Sequence, residues 1–254
     1  MSERSDIPAL EARELTLSWD GGQSIVVEDV DLYVNAGEIV CLVGKSGCGK
    51  TTILHALSGL SAPLRGEVLL HGTSIAAEPG HVSYMLQKDL LLPHLRIRDN
   101  VCLPLTLAGT PKDEALKKAG PLFERFGLKG TEDQWPSQLS GGMRQRAAFM
   151  RTYLMGNDVV LLDEPFSALD TITKSQIHEW YLDIMEEINL TTVFITHDID
   201  EAILLSDRIY IMAGRPGRID GEVRIEPARR ERDGFNLTPE FLAYKRQIVE
   251  MIGM

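Results

Sequence analysis

Gly44-Lys45-Ser46-Gly47-Cys48-Gly49-Lys50-Thr51 is the stretch on which the reading of this chain turns. Its spacing is G-x-x-x-x-G-K-[ST], a loop built to hold phosphate. The glycines let the backbone wrap an anion without side-chain obstruction. The pattern before it, at 38–43, predicts a short apolar strand, and residues 50–58 predict a helix. Such a helix points its free N-terminal N–H groups at the anion. Lys50 would then reach the β and γ phosphates of a nucleoside triphosphate, and Thr51 would ligate Mg²⁺. Gly44, Ser46, Gly47, Cys48, Gly49, Lys50, Thr51 and Thr52 are the candidate phosphate-binding residues. Cys48 reads either as a small residue that fits the loop or as a redox brake on binding.

Working outward, Val159-Val160-Leu161-Leu162-Asp163-Glu164 is an unbroken apolar run ending in two acids. That is the pattern of a buried parallel strand. Asp163 would hold the Mg²⁺ shell. Glu164, one residue on, would accept a proton from an attacking water or orient it. Other strands are expected at 15–19 and 25–34 around the turn Asp20-Gly21-Gly22, and at 66–71, 81–87, 191–196 and 208–212. Helices are expected at 112–126, 142–154, 171–188, 198–205 and 239–252. Pro93, Pro104, Pro111 and Pro136 break up a helix-rich middle. The expected division is one domain over 1–254: a nucleotide-binding core from 1–87 and 156–222, a helical subdomain at 88–155, and a C-terminal extension at 223–254.

Composition narrows the partners. The chain has 254 residues, enough to bury a sizeable core, and its formal net charge is -11. A nucleic-acid footprint needs a basic face, so no nucleic-acid partner is expected. Cys41, Cys48 and Cys102 are too few and too scattered for a disulfide framework or zinc site, which points to a reducing compartment. The polar start, MSERSDIPALEARE, is no signal peptide. No apolar run approaches the roughly 20 residues that span a bilayer. A role at a membrane would therefore come through a partner chain.

Leu139-Ser140-Gly141-Gly142-Met143-Arg144-Gln145-Arg146 resembles the signature motif of the ATP-binding-cassette family. The resemblance implies a P-loop NTPase (RecA-like) α/β core with an antiparallel β subdomain and a helical signature subdomain. It implies an ATPase in which Ser140 and Gly142 close over the ATP of a second copy of the chain. Met143 stands where the family has glutamine, which removes one polar side chain from that contact. The resemblance runs on in order. Gln87 corresponds to the glutamine that senses Mg²⁺ and the γ phosphate. Asp170, in Ser167-Ala168-Leu169-Asp170, corresponds to the aspartate that crosses the dimer interface. His197 corresponds to the switch histidine on the γ phosphate, and Trp19 to the aromatic that stacks on adenine.

Two stretches look like nitrate, sulfonate and taurine importer ATPases: Gly214-Arg215-Pro216-Gly217-Arg218-Ile219 and Leu237-Thr238-Pro239-Glu240-Phe241-Leu242. On residues alone, the first is a Pro-Gly turn joining two strands. The implied cofactors are ATP and Mg²⁺. The implied partners are transmembrane permease subunits, docked around residues 88–101 with Arg96 and Arg98 among the contacts, and indirectly a solute-binding protein. The implied place is the cytoplasmic face of the inner membrane, peripherally bound. The alternative is a soluble cassette ATPase of DNA repair or translation, which would carry paired cassettes, zinc modules, coiled coils or basic extensions. Lys50, Asp163, Glu164 and His197 argue against a non-catalytic regulatory cassette.

Overall fold

Along Ile39–Gly44 (β3), Cys41 and Val43 pack into one apolar core while Val40 and Leu42 pack into another. A strand side-chain period of two sends neighbours to opposite faces, so a strand apolar at every position is buried on both. Val159–Asp163 (β7), Thr191–Thr196 (β8) and Arg208–Ala213 (β9) divide their side chains in the same way. With Ser83–Met85 (β6) and Arg218–Arg224 (β10) they form a six-stranded sheet in the order β10-β9-β3-β8-β7-β6. All its pairings are parallel except β10 on β9. The computed structural model describes residues 7–167, 171–232 and 234–253.

One face of this sheet packs on an antiparallel sheet in the order β2-β1-β4-β5, and on helix α1, Lys50–Leu57. Its strands are Leu10–Ser18 (β1), Ile25–Val34 (β2), Arg65–Leu70 (β4) and Thr73–Ser74 (β5). Between β6 and β7 the chain makes Ile97–Val101 (α2), Leu103–Leu107 (α3), Lys112–Arg125 (α4) and Gly141–Tyr153 (α5). These helices join the core on the other face with Thr171–Ile188 (α6), Ile199–Leu205 (α7) and Pro239–Ile252 (α8). Phe126, Phe149, Tyr153 and Trp180 interlock there, with ring centroids 5.6–6.0 Å apart.

Two buried arginines tie the parts together. Arg208, 1% exposed, pairs with Glu38 at 2.8 Å and Glu222 at 3.2 Å and donates to the Tyr33 carbonyl at 2.7 Å, linking β9 to the antiparallel sheet. Arg232 donates to the carbonyls of Ile203 and Ser206 at 2.8 and 2.7 Å, fastening the C-terminal segment beneath α7. Burial lowers its guanidinium to about 10.

Several elements depart from the pattern reading. β1 begins at Leu10, five positions before the expected start at 15, because Glu14 at φ 50° and a register shift between Ala12 and Leu15 break the alternation. β10 was expected only as the exit of a turn. It is an edge strand that buries a single side chain, Val223, and so carries no apolar signature. The strand expected over 81–87 shortens to β6, leaving Gln87 in the loop beyond it.

Candidate active site

The carboxyl ends of the parallel strands share one level. Val43 pairs with Thr196, Gly44 with Met212, Asp163 with Ile195, and Met85 with Leu162. This is the edge where open α/β sheets bind ligands. The phosphate loop leaves β3 there, Asp163 ends β7, His197 follows β8, and Gln87 lies two residues past β6.

The loop is held by close backbone packing. Gly47 and Gly49 take φ 80° and 100°, the left-handed region that glycine enters without steric cost. A Cβ on Gly44 would lie 2.4 Å from the Met212 carbonyl oxygen, and one on Gly49 would lie 2.5 Å from Val27 Cγ2. Lys50 is buried, and its Nζ donates to the Gly44 and Lys45 carbonyls at 2.8 and 3.3 Å. Thr52 is buried in the first turn of α1, whereas Ser46 and Thr51 are exposed.

The turn at 214–217 lies against the loop. Arg215 Nη2 donates to the Ser46 carbonyl at 3.3 Å, and a Cβ on Gly47 would meet that nitrogen at 2.9 Å. A Cβ on Gly217 would lie only 1.9 Å from the Cys48 carbonyl oxygen. Gly217 is itself pinned to β2, donating to the Val26 carbonyl at 2.8 Å and accepting from the Glu28 N–H at 3.0 Å. Lys45 donates to the Gly253 carbonyl at 2.9 Å, so the end of α8 also touches the loop. Cys48 is buried, its Sγ 3.0 Å from the Gly44 Cβ position, as a small filler of the loop interior would be. In the sequence, Arg215 and Gly217 carried only family likeness. Nothing local signals a contact with a loop about 170 positions away.

Burial pushes the Asp163 carboxyl above its ordinary value, and the Glu164 charge adds to this. Hydrogen bonds from Thr51 and Tyr84 oppose it. The Tyr84 hydroxyl stands 3.4 Å from Asp163 Oδ2. A carboxylate disfavoured in its charged form beside the hydroxyl of Thr51 is an oxygen setting that a hard cation would relieve. Among the described residues, no group of three or more His, Cys, Asp and Glu side chains could hold a metal alone. Thr51 and Asp163 fit a hard cation that would complete its shell with phosphate oxygens and water, while Gln87 is seen on Glu164 instead.

Glu164 is where three strands' ends meet. Gln87 Nε2 donates to its Oε2 at 2.9 Å, and His197 Nδ1 stands 3.3 Å from the same oxygen. Its backbone takes φ 45°, uncommon for a residue with a Cβ. The Glu164 N–H is bound to the Ile195 carbonyl at 3.0 Å, so the carboxylate has a fixed base. Gln87 and His197 are exposed, and Glu164 is half-buried between them.

Ser140 caps α5, its Oγ accepting from the Met143 N–H at 3.3 Å. The cap uses only the backbone of Met143, so it does not depend on the glutamine that the family pattern has there. Gly142 is buried in the first turn. Ser140 and Gly142 stand in the helical segment rather than on the phosphate-loop edge, and Asp170 lies outside the described residues. Trp19 follows β1 as a ring 61% exposed, edge-on to His55 of α1 with centroids 6.1 Å apart. His55 in turn meets Tyr84 at 5.9 Å. An exposed indole face in contact with α1 suits stacking on a base, worth roughly 1–3 kcal/mol. Trp19→Ala is expected to weaken ATP binding about tenfold with turnover at saturating ATP little changed. Equal affinity in titrations of the two proteins would remove Trp19 from the site.

The fold and this edge define a P-loop ATPase. The ABC transporter family profile matches residues 27–167, and the chain belongs to that family. It is 44% identical over 209 residues to the formylaminopyrimidine import ATP-binding protein ThiZ of Halalkalibacterium halodurans, which covers 82% of each chain. It is 41% identical over 208 residues to the aliphatic sulfonates import ATP-binding protein SsuB 2 of Burkholderia cenocepacia, covering 82% of this chain and 76% of that one. Among solved structures, a dimeric post-hydrolysis state of an ATP-binding cassette bound to ADP and Pi matches with TM-score 0.72 and 27% identity, over 86% of this chain and all of that one.

Proposed function

We propose that this chain works as a pair of copies that hydrolyse ATP to drive solute import through membrane-spanning permease subunits, in a system of the nitrate, sulfonate and taurine type. The observation that carries the reading is the meeting of Gln87 and His197 on the Glu164 carboxylate at the edge from which the phosphate loop springs. Lys50 and the loop N–H groups bind the β and γ phosphates. Thr51, Asp163 and Gln87 would hold Mg²⁺, which would supply charge neutralisation on the phosphate oxygens. Glu164 takes the proton of the attacking water, and His197 and Gln87 hold the carboxylate in place. Ser140 and Gly142 of one copy close over the ATP held by the other. Asp170 takes part at the same interface.

No helix among the described residues is long and apolar enough to cross a membrane. We place the chain at the cytoplasmic face of the inner membrane, where the importer relatives' partners would hold it, with a solute-binding protein delivering cargo from the other side. ThiZ and SsuB 2, both importer subunits by name, support the direction of transport. Affinity purification of the tagged chain from detergent-solubilised membranes of its own host tests this. Membrane-spanning chains should co-purify in fixed ratio. Recovery with DNA-repair or translation factors instead would overturn it.

The docking surface changes from the sequence reading in one respect. Arg96 stacks on Trp135 at 3.7 Å and donates to the Asp133 carbonyl, and Arg98 pairs with Asp133 at 2.6 Å. Both arginines brace the segment internally. Exposed apolar groups of this region are Leu86 and Leu90, on either side of Gln87 and Lys88. Arg151 fixes the backbone beneath them by donating to the Asp89 and Leu90 carbonyls at 2.5 and 2.8 Å. Leu90→Asp should cut transport in proteoliposomes while leaving basal ATPase activity of the isolated chain within about twofold, as for an ordinary surface change. Equal losses in both assays would make Leu90 structural.

A further inference from the structure

Helix α6 touches both segments that carry the hydrolytic pair. On one side, His178 lies edge-on to Phe166 with centroids 4.8 Å apart, and Tyr181 meets the same ring at 5.5 Å. Phe166 is two residues beyond Glu164. On the other side, Lys174 Nζ pairs with Asp198 Oδ2 at 2.7 Å and with Glu201 Oε1 at 2.5 Å. Glu201 is 3% exposed, and His178 Nε2 stands 3.6 Å from it. The second Glu201 oxygen accepts from the Thr196 hydroxyl at 2.5 Å, and that hydroxyl accepts from the Asp198 N–H at 3.0 Å. Asp198 also caps α7 through the N–H groups of Asp200 and Glu201.

The residues on each side of His197, Thr196 and Asp198, are therefore both held by one buried cluster whose cation comes from α6. Burial alone would raise the Glu201 carboxyl, but hydrogen bonds from His178, Lys174 and Thr196 bring it below its ordinary value. It is thus held as a carboxylate, and a buried carboxylate stays where its partners are. Helix α7 is short and would not by itself fix the loop that carries His197. The cluster ties that loop to the same helix that Phe166 rests on.

We propose that Lys174, through Glu201 and Asp198, is a positioning residue that fixes His197 against Glu164 for hydrolysis. This rests on the reading of Glu164 as the base. It assigns Lys174 no contact with nucleotide. Its removal should therefore change turnover and spare binding. A displacement of about 1 Å in a catalytic pair can cost up to a hundredfold in rate, so a loss of about 10- to 100-fold in kcat is expected.

Lys174→Met alone would leave Glu201 and Asp198 unpaired and could unfold the chain. The test therefore uses Lys174→Met with Glu201→Gln, which removes one charge of each sign, alongside Lys174→Arg. Steady-state ATPase kinetics, ATP titration and thermal melting are measured on each. The double variant should melt close to the parent, bind ATP with unchanged affinity, and lose about 10- to 100-fold in kcat, with KM steady. Lys174→Arg should recover most of the rate. Parental kcat in a folded double variant would overturn the proposal, as would a rise in KM matching the fall in kcat, or failure of arginine to rescue. Glu164→Gln in parallel separates the two readings. If it too hydrolyses at the parental rate, the assignment of the base has failed. If it is slow while the double variant is not, only the role of Lys174 has failed.

Discussion

Glu164→Gln should lower ATP hydrolysis by about 10²–10⁴-fold, the usual contribution of a general base. The substitution keeps the size of the side chain, and a glutamine carbonyl can still accept from Gln87 Nε2, which now stands 2.9 Å from the carboxylate. What disappears is the basic oxygen that Gln87 and His197 share. Nucleotide binding should survive, since Lys50, Thr51 and the loop backbone are untouched. The change also removes one negative charge from the neighbourhood of each triphosphate. Two copies should then close more readily over ATP. Sizing chromatography with Mg²⁺-ATP should show a long-lived dimer for the variant and a transient one for the parent. A variant turning over ATP at the parental rate would remove Glu164 as the base, whatever its oligomeric state.

The second large effect lies outside the nucleotide-binding motifs in sequence but against the phosphate loop in space. Gly217→Ala would place a Cβ 1.9 Å from the Cys48 carbonyl oxygen, inside the phosphate loop. The obstacle is backbone on both sides, and Gly217 is anchored to β2 by two hydrogen bonds, so neither can yield easily. Overpacking of this kind costs about 1–3 kcal/mol. Here the upper end is expected, because the strain falls on the curvature that receives the phosphates. About 3 kcal/mol taken from binding corresponds to on the order of a hundredfold in ATP affinity. Isothermal titration of the parent and variant would measure it. A variant that folds and binds ATP as tightly as the parent would show that the loop keeps its shape without this support.

Much of the scaffold was legible before any coordinates. The glycine spacing of 44–51 predicts a strand-loop-helix, and β3 and α1 flank that loop. The apolar runs of β7 and β8 announce strands buried on both faces, and helix-favouring stretches announce α4 and α5. These signals are local: periodicity, caps and turn chemistry act within a few residues. Signals weakened by irregularity were lost, as where Glu14 interrupts β1 or where β10 buries only Val223.

By itself, then, the sequence determined which groups are available for chemistry: a phosphate loop, an acidic pair at a strand end, a histidine after another strand, and a serine-glycine helix start. Each follows from residues adjacent in the chain. Only the tertiary structure decided which of them meet. Gln87 reaches Glu164 across 77 positions, Arg215 reaches Ser46 across 169, and Lys174 reaches Asp198 across 24. Such contacts depend on strand order and register, which set Gly44, Asp163 and Thr196 at one level of the sheet. They depend equally on the packing of α6 across two loops. No short-range pattern encodes either, because a non-local pair is chosen by the burial of whole elements against each other, and side-chain chemistry follows where that burial leaves it.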